Sequence, residues 1–200
     1  MAGTKANLIS GPGVLYIGPV GEALPEIDNL TPPAITITVA GNWVDMGFSM
    51  DNHKLLTEQE FEEGYVLEHL GPVVAPPTKE RAVFMVKFAE RDLGAFNDGT
   101  FTRTTLSTIA AGADQTAQDL LGFGDKVATT QKSLMYVAES PEGGSRVLHM
   151  YIAQAIENQE ILHNLQLEGF DAAFLLLADP TQSAGETIYK WYDITAVATA

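Results

Sequence analysis

The chain contains no cysteine among its 200 residues. That excludes disulfides and thiolate metal sites, and it suits a cytosolic origin without requiring one. Basic residues are scarce as well: 11 Lys and Arg stand against 26 Asp and Glu, a formal net charge of −15. No run or stripe of cations is available to neutralise phosphates, which argues against a protein that grips nucleic acid through its backbone. Long apolar runs are missing too. No stretch is long enough to cross a bilayer as a helix, and the opening MAGTKANLISGPGVLYIG lacks the apolar block of a secretory signal, so neither is expected.

Signatures of chemistry are equally thin. The four histidines, His53, His69, His149 and His163, form no HExxH or HxH pattern, and ordinary structural roles are expected for each. GPGVLYIG (11–18) has phosphate-loop glycines but no Lys-Ser/Thr and no helix to follow, so its glycines read as turn punctuation. Ser10, Ser49, Ser107 and Ser133 lack a nucleophile-elbow context. The acidic residues of 58–63 lack the ligand spacing of a calcium loop. The expectation is a protein that is not an enzyme, with no catalytic residue, cofactor or metal.

What is present is β-sheet patterning in a chain that is 46% hydrophobic, enough for one globular domain. Residues 11–21 read as a short strand and 22–33 as loop. AITITVAGNWVDMG (34–47) alternates β-branched and polar residues, with a bend expected at Gly41-Asn42. KERAVFMVKFAE (79–90) sets Ala82, Phe84, Val86 and Phe88 on one face. A short helix is expected over 90–99 and another turn or two at 114–121. The strands 132–140 and 145–156 flank the turn sequence PEGG, and 162–180 and 186–194 complete the set.

Between them lies LLTEQEFEEGYVLEHLGPVVAPP (55–77). Thr57 and Glu60 could open a helix as a capping box, but Gly64, Pro72, Pro76 and Pro77 argue against one. Read as extended chain, it puts Phe61, Tyr65 and Leu67 on one face and Glu58, Glu60, Glu62 and Glu68 on the other. The reading is a long acidic arm. Acidity most commonly serves solubility. It also suits a protein that surrounds DNA without holding it.

The order of these features resembles the major tail protein, or tail tube protein, of long-tailed bacteriophages. The likeness rests on WVDMG (43–47), the acidic stretch closing on LGPV (70–73), VFMVKFAE (83–90) followed directly by RDLGAF (91–96), and FDAAFLLLADPTQSAGETIYKW (170–191). It covers roughly residues 10–195 and is weakest over 100–130.

The resemblance implies a single mainly β domain: a β-sandwich, the phage tail tube fold, with one or two short flanking helices and a long extended arm. Arms at about 1–12 and 195–200 would flank it, and the inter-strand arm would fall at about 48–78. It implies hexameric rings stacked into a tube, a virion tail built in the host bacterial cytoplasm. Its partners would be further copies of the chain, the tape-measure protein and the tail tip and terminator proteins. Double-stranded DNA would pass through without specific binding, and no membrane is involved. Leu55, Leu56, Phe61, Tyr65 and Leu67 become the expected contacts between subunits and rings. Glu58, Glu60, Glu62 and Glu68 become an acidic face toward the lumen or ring edge. Six copies at −15 each carry on the order of ninety negative charges per ring. The alternatives are the inner tube of a contractile phage, a tailocin or a secretion-type machine, or a virion β-sandwich binding module. The last would show exposed aromatics clustered on one face, for which Trp43, Trp191 and Tyr192 are the candidates.

Overall fold

A computed structural model of the chain describes residues 13–25, 41–47, 49–65, 74–88, 104–113, 116–123, 130–139, 145–156, 161–162 and 169–194. Their regular structure is entirely β: β1 (Gly13–Gly18), β2 (Val44–Asp45), β3 (Ser49–Phe61), β4 (Pro77–Phe88), β5 (Thr104–Ile109), β6 (Gln118–Phe123), β7 (Lys132–Glu139), β8 (Ser145–Ala155), β9 (Ile161–Leu162), β10 (Gly169–Leu177) and β11 (Tyr189–Ile194). Nine strands form one antiparallel sheet with the path β2-β1-β7-β8-β10-β4-β3; β11 joins it on β8 and β9 on β10. The strands β5 and β6 pair as a separate ribbon.

Alternation explains the core. Leu15 and Ile17 on β1, Leu134 on β7, Leu148 and Met150 on β8, Ala172, Phe174 and Leu176 on β10, and Ala82, Phe84, Val86 and Phe88 on β4 are all buried together. Each set recurs at every second residue, which is what one face of a pleated strand requires. Phe84, Phe88 and Phe174 are the largest fully buried side chains and supply the greatest apolar area.

One strand bends the sheet. Along one edge β8 pairs with β7 from Ser145 to Ala153. Its other edge is divided, with β11 along Ser145–Met150 and β10 along Ile152–Ala155. The sheet curls on itself, and His53 of β3 meets Tyr136 of β7 with ring centroids 4.3 Å apart, although β4, β10 and β8 lie between those strands in the sheet. At Gly13 the approach is close: a Cβ there would sit 2.1 Å from the Tyr136 ring, so the ring as it stands leaves no room for a side chain and would have to shift to admit one.

The opposite face of β7 and β8 is also covered. Met135, Val137 and Val147 pack with Trp43, and Tyr16, Leu24 and Tyr192 close over them. The Trp43 indole donates to the Ala23 carbonyl at 2.9 Å, pinning the 19–25 loop to this face. His149 stands edge-on to Trp43 and to Tyr151, at 5.9 and 4.7 Å. Burial on both faces explains why MYV and RVLHMYIA read as nearly continuous apolar runs.

Several expectations are met. Strands occupy the segments read as such at 11–21, 79–90, 132–140, 145–156, 162–180 and 186–194, and Gly41 takes the turn conformation expected of it, with φ 118°. The helix over 90–99, the strand residues 34–40, and the terminal arms 1–12 and 195–200 lie outside the described residues. The helical turns read at 114–121 are corrected, because Gln118–Phe123 is a strand paired residue for residue with Thr104–Ile109. The partner strand is rich in Thr, and Gly122 disfavours a helix, so the ladder outweighs the weak helical preference of QDLL. The β9 strand passed unnoticed in the sequence; two residues hold no period to read.

Two outcomes test this packing. Gly13→Ala forces the Tyr136 ring aside and is expected to cost about 1–3 kcal/mol, read as a lowered urea midpoint. Burial pushes the His149 pKa down to about 4. The folded value lies below the unfolded one of about 6.5, so the neutral ring's contribution is full above that pH and fades as pH falls toward 4. Roughly 3 kcal/mol should disappear over that window, and His149→Phe should remove that share of the pH dependence in denaturation series.

Candidate functional site: a projecting hairpin

The arm read from sequence is a β-hairpin. β3 pairs antiparallel with β4 from Ser49↔Phe88 to Phe61↔Pro77, with register shifts at Met50/Lys54 and Glu60/Phe61. Beyond Phe61 the two chains stay in contact: the Glu62 amide donates to the Pro76 carbonyl at 3.1 Å and the Gly64 amide to the Val74 carbonyl at 2.7 Å. The proline pair is accommodated because Pro76 offers its carbonyl and Pro77 begins the strand, positions that need no amide proton.

Burial divides this hairpin in two. Its root belongs to the core: Phe84 is 1% exposed, Leu55 packs on the same cluster, and Leu56 is half-buried opposite Val83. His53 lies within the bulge, its ring stacked at 6.1 Å on Phe84 and at 4.3 Å from Tyr136. Burial lowers its pKa below the ordinary histidine value. Past Leu56, every described residue of 57–65 and of 74–81 is exposed. At roughly 3.3 Å per residue, that half extends about 30 Å past the core.

The distal half presents two kinds of surface. Cross-strand pairs Glu58↔Arg81 and Glu60↔Lys79 share one face, with ion pairs at 3.9 and 2.7 Å. All four side chains are more than half exposed, so these pairs set register more than stability. Gln59 and Glu80 meet on the other face through a 3.4 Å hydrogen bond. Toward the tip stand Phe61, Tyr65 and Val74, 55%, 62% and 59% exposed. The Tyr65 hydroxyl donates to the Glu63 carboxylate, which raises the tyrosine pKa.

Of the expected assembly contacts, Phe61 and Tyr65 stand free on the arm, Leu55 sits against the subunit's own core, Leu56 lies at the boundary, and Leu67 is outside the described residues. Glu58, Glu60 and Glu62 are exposed; the first two carry basic partners from β4, and Glu68 is outside the described residues. Sequence reading missed Val74, which faces Gly64 across the hairpin. The signal was the second Val of the LGPVV run just ahead of the prolines. Among the described residues neither outer edge of the distal half is paired: β3 ends the sheet, and β10 takes β4 only over Ala82–Phe88. A two-stranded ribbon of this length has little stability of its own, and its open edges are ready templates for another strand.

The three aromatics suggested for a binding face do not cluster as exposed rings. Trp43 is buried, Tyr192 is half-buried, and Trp191 is 42% exposed with the Arg146 guanidinium 5.5 Å from its ring. Among the described residues no group of His, Asp and Glu is arranged to hold a metal ion, and no helix is long and apolar enough to cross a membrane. No family model matches the chain, and no curated protein matches it.

The division of the hairpin predicts opposite responses at its two ends. Leu55→Ala at the root should cost about 2 kcal/mol in denaturant unfolding. Lys79→Ala on the distal half should change stability by less than about 1 kcal/mol.

Proposed function

We propose that the chain is a tail tube protein, a structural virion subunit that polymerises as stacked hexameric rings into the conduit for DNA ejection. The observation that supports this reading most directly is the distal hairpin. It carries Phe61, Tyr65 and Val74 in the open, with unpaired strand edges on both sides and no part of its own subunit's described residues to cover them. Exposed aromatics on a preformed ribbon are the anchors that a protein interface buries. A second copy is the partner that a repetitive tube supplies.

The sheet suits the same role. Among the described residues its order leaves β3 and β2 at the ends, where strand addition would let one subunit extend a neighbour's sheet. In this reading the described sheet belongs to a β-sandwich, and the arm reaches the adjacent subunit or the next ring. The net charge of −15 lets a duplex slide past a wall that repels phosphate. The arm's share of that charge is moderated by Lys79 and Arg81, so the repulsion arises mostly elsewhere.

Replacing residues 60–79 by an Asn-Gly turn joins the facing pair Gln59 and Glu80 and removes the distal hairpin while sparing the root. The shortened protein should keep its unfolding midpoint and lose concentration-dependent assembly, seen as absent tubes or rings by negative-stain microscopy. Phe61→Asp should do the same through one side chain. Wild-type protein that stays monomeric at every concentration, or a shortened protein that still builds tubes, overturns the proposal.

A further inference from the structure

The hairpin is tied to the body by more than its ladder. Between Met50 and Lys54 the strand β3 is out of step with β4, and His53 lies in that stretch. A bulge re-aims the side chain it carries. Here the ring reaches Tyr136 of β7, at 4.3 Å, while stacking on Phe84 of β4 at 6.1 Å. Those two partners are 5.9 Å from each other, so rings from three strands close one cluster. In the sheet β4, β10 and β8 separate β3 from β7, and the cluster bridges that separation directly.

An imidazole is an odd third member of such a cluster. Its Nε2 is inaccessible to water and has no hydrogen-bond partner. The neutral ring tolerates this, because its one proton can sit on Nδ1 and leave a bare lone pair at Nε2. The protonated ring cannot: both nitrogens then donate, and Nε2 brings a proton and positive charge to a dry position with nothing to accept them. The faces of Phe84 and Tyr136 attract a cation weakly and give its proton no lone pair. Burial acts the other way and lowers the histidine pKa below its ordinary value.

Among the described residues no carboxylate lies against the ring to favour its charged form. The walls are Phe84 on β4 and Tyr136 on β7, whose hydroxyl burial keeps protonated. Gly13 and Leu15 of β1 bring no titratable group. Lys54, next along β3, and Lys87 of β4 belong to the opposite face, with Met85 and Asp171 as their cross-strand neighbours.

We propose that His53 is an acid-operated latch: the neutral ring fastens the root of the hairpin to β7, and its protonation opens that seam and frees the arm from the body. Since the folded pKa lies below the unfolded one of about 6.5, the latch holds fully above that pH and weakens as pH falls toward the folded value. Leu55 stays on the core in either state, so the arm loosens at its root without the sheet coming apart. The latch acts within one chain, whatever the arm docks on.

The test follows the His53 imidazole resonances, and the hydrogen-exchange protection of the Leu55–Gln59 and Glu80–Phe84 amides, in the full chain from pH 7.5 to pH 5. His53 should titrate below about 6.5. Protection at those amides, corrected for intrinsic exchange, should fall severalfold. In His53→Phe, which keeps a flat ring in the seam and leaves His149 to titrate as before, the fall should be severalfold smaller. Should that variant misfold, His53→Gln, which also cannot titrate, makes the same comparison. A wild-type His53 that titrates at or above the ordinary value, or an equal fall in wild type and variant, overturns the proposal.

Discussion

Four strands meet in a single rung: Leu55 of β3 lies opposite Phe84 of β4, Phe84 opposite Phe174 of β10, and Phe174 opposite Ala155 of β8. Both phenylalanines are essentially inaccessible to water. A slip of one residue anywhere along this rung would turn a phenylalanine outward and bring a residue of the other face inward. The cost of that exchange fixes the register of all four strands at once. Since β4 then runs on without interruption into the arm, the same rung aims the arm.

The arm is therefore a continuation of the core's backbone without a continuation of its side-chain burial. Its amides and carbonyls meet one another across the ribbon, at Glu62–Pro76 and Gly64–Val74. Its rings, Phe61 and Tyr65, stay more than half exposed among the described residues. Hydrogen bonding alone contributes little net stability, because water offers the unfolded chain similar bonds. Tertiary burial is what usually holds a ribbon, and here it is concentrated at the root, where Leu55 and His53 pack on Phe84 and Tyr136.

Much of the sheet was legible because its strands have one buried face. In β4 the spacing of Ala82, Phe84, Val86 and Phe88 announces both the strand and its inward side. Alternation says nothing about partners, however, so the arm's pairing with β4 was not readable, and Leu55 looked like a surface contact when it is a core contact. Residues 118–123 failed for the opposite reason, since a weakly patterned segment takes its conformation from the strand beside it. The surroundings of His149 were invisible for a third: Ser133, Asp179 and Glu186 come near it only through pairing across β7, β8 and β11 and the loop that precedes the last.

The bulge between Met50 and Lys54 leaves β3 out of step with β4 just where the hairpin joins the body, while Lys54 through Glu60 runs in unbroken step with Met85 through Lys79. Everything distal to Leu56 can thus be lengthened or shortened in matched pairs, about 3.3 Å at a time, with the phenylalanine rung undisturbed. The hairpin behaves as a ruler whose graduations are independent of the body that holds it. Reach and folding become separately adjustable quantities, so the length of the arm can change without renegotiating the interior.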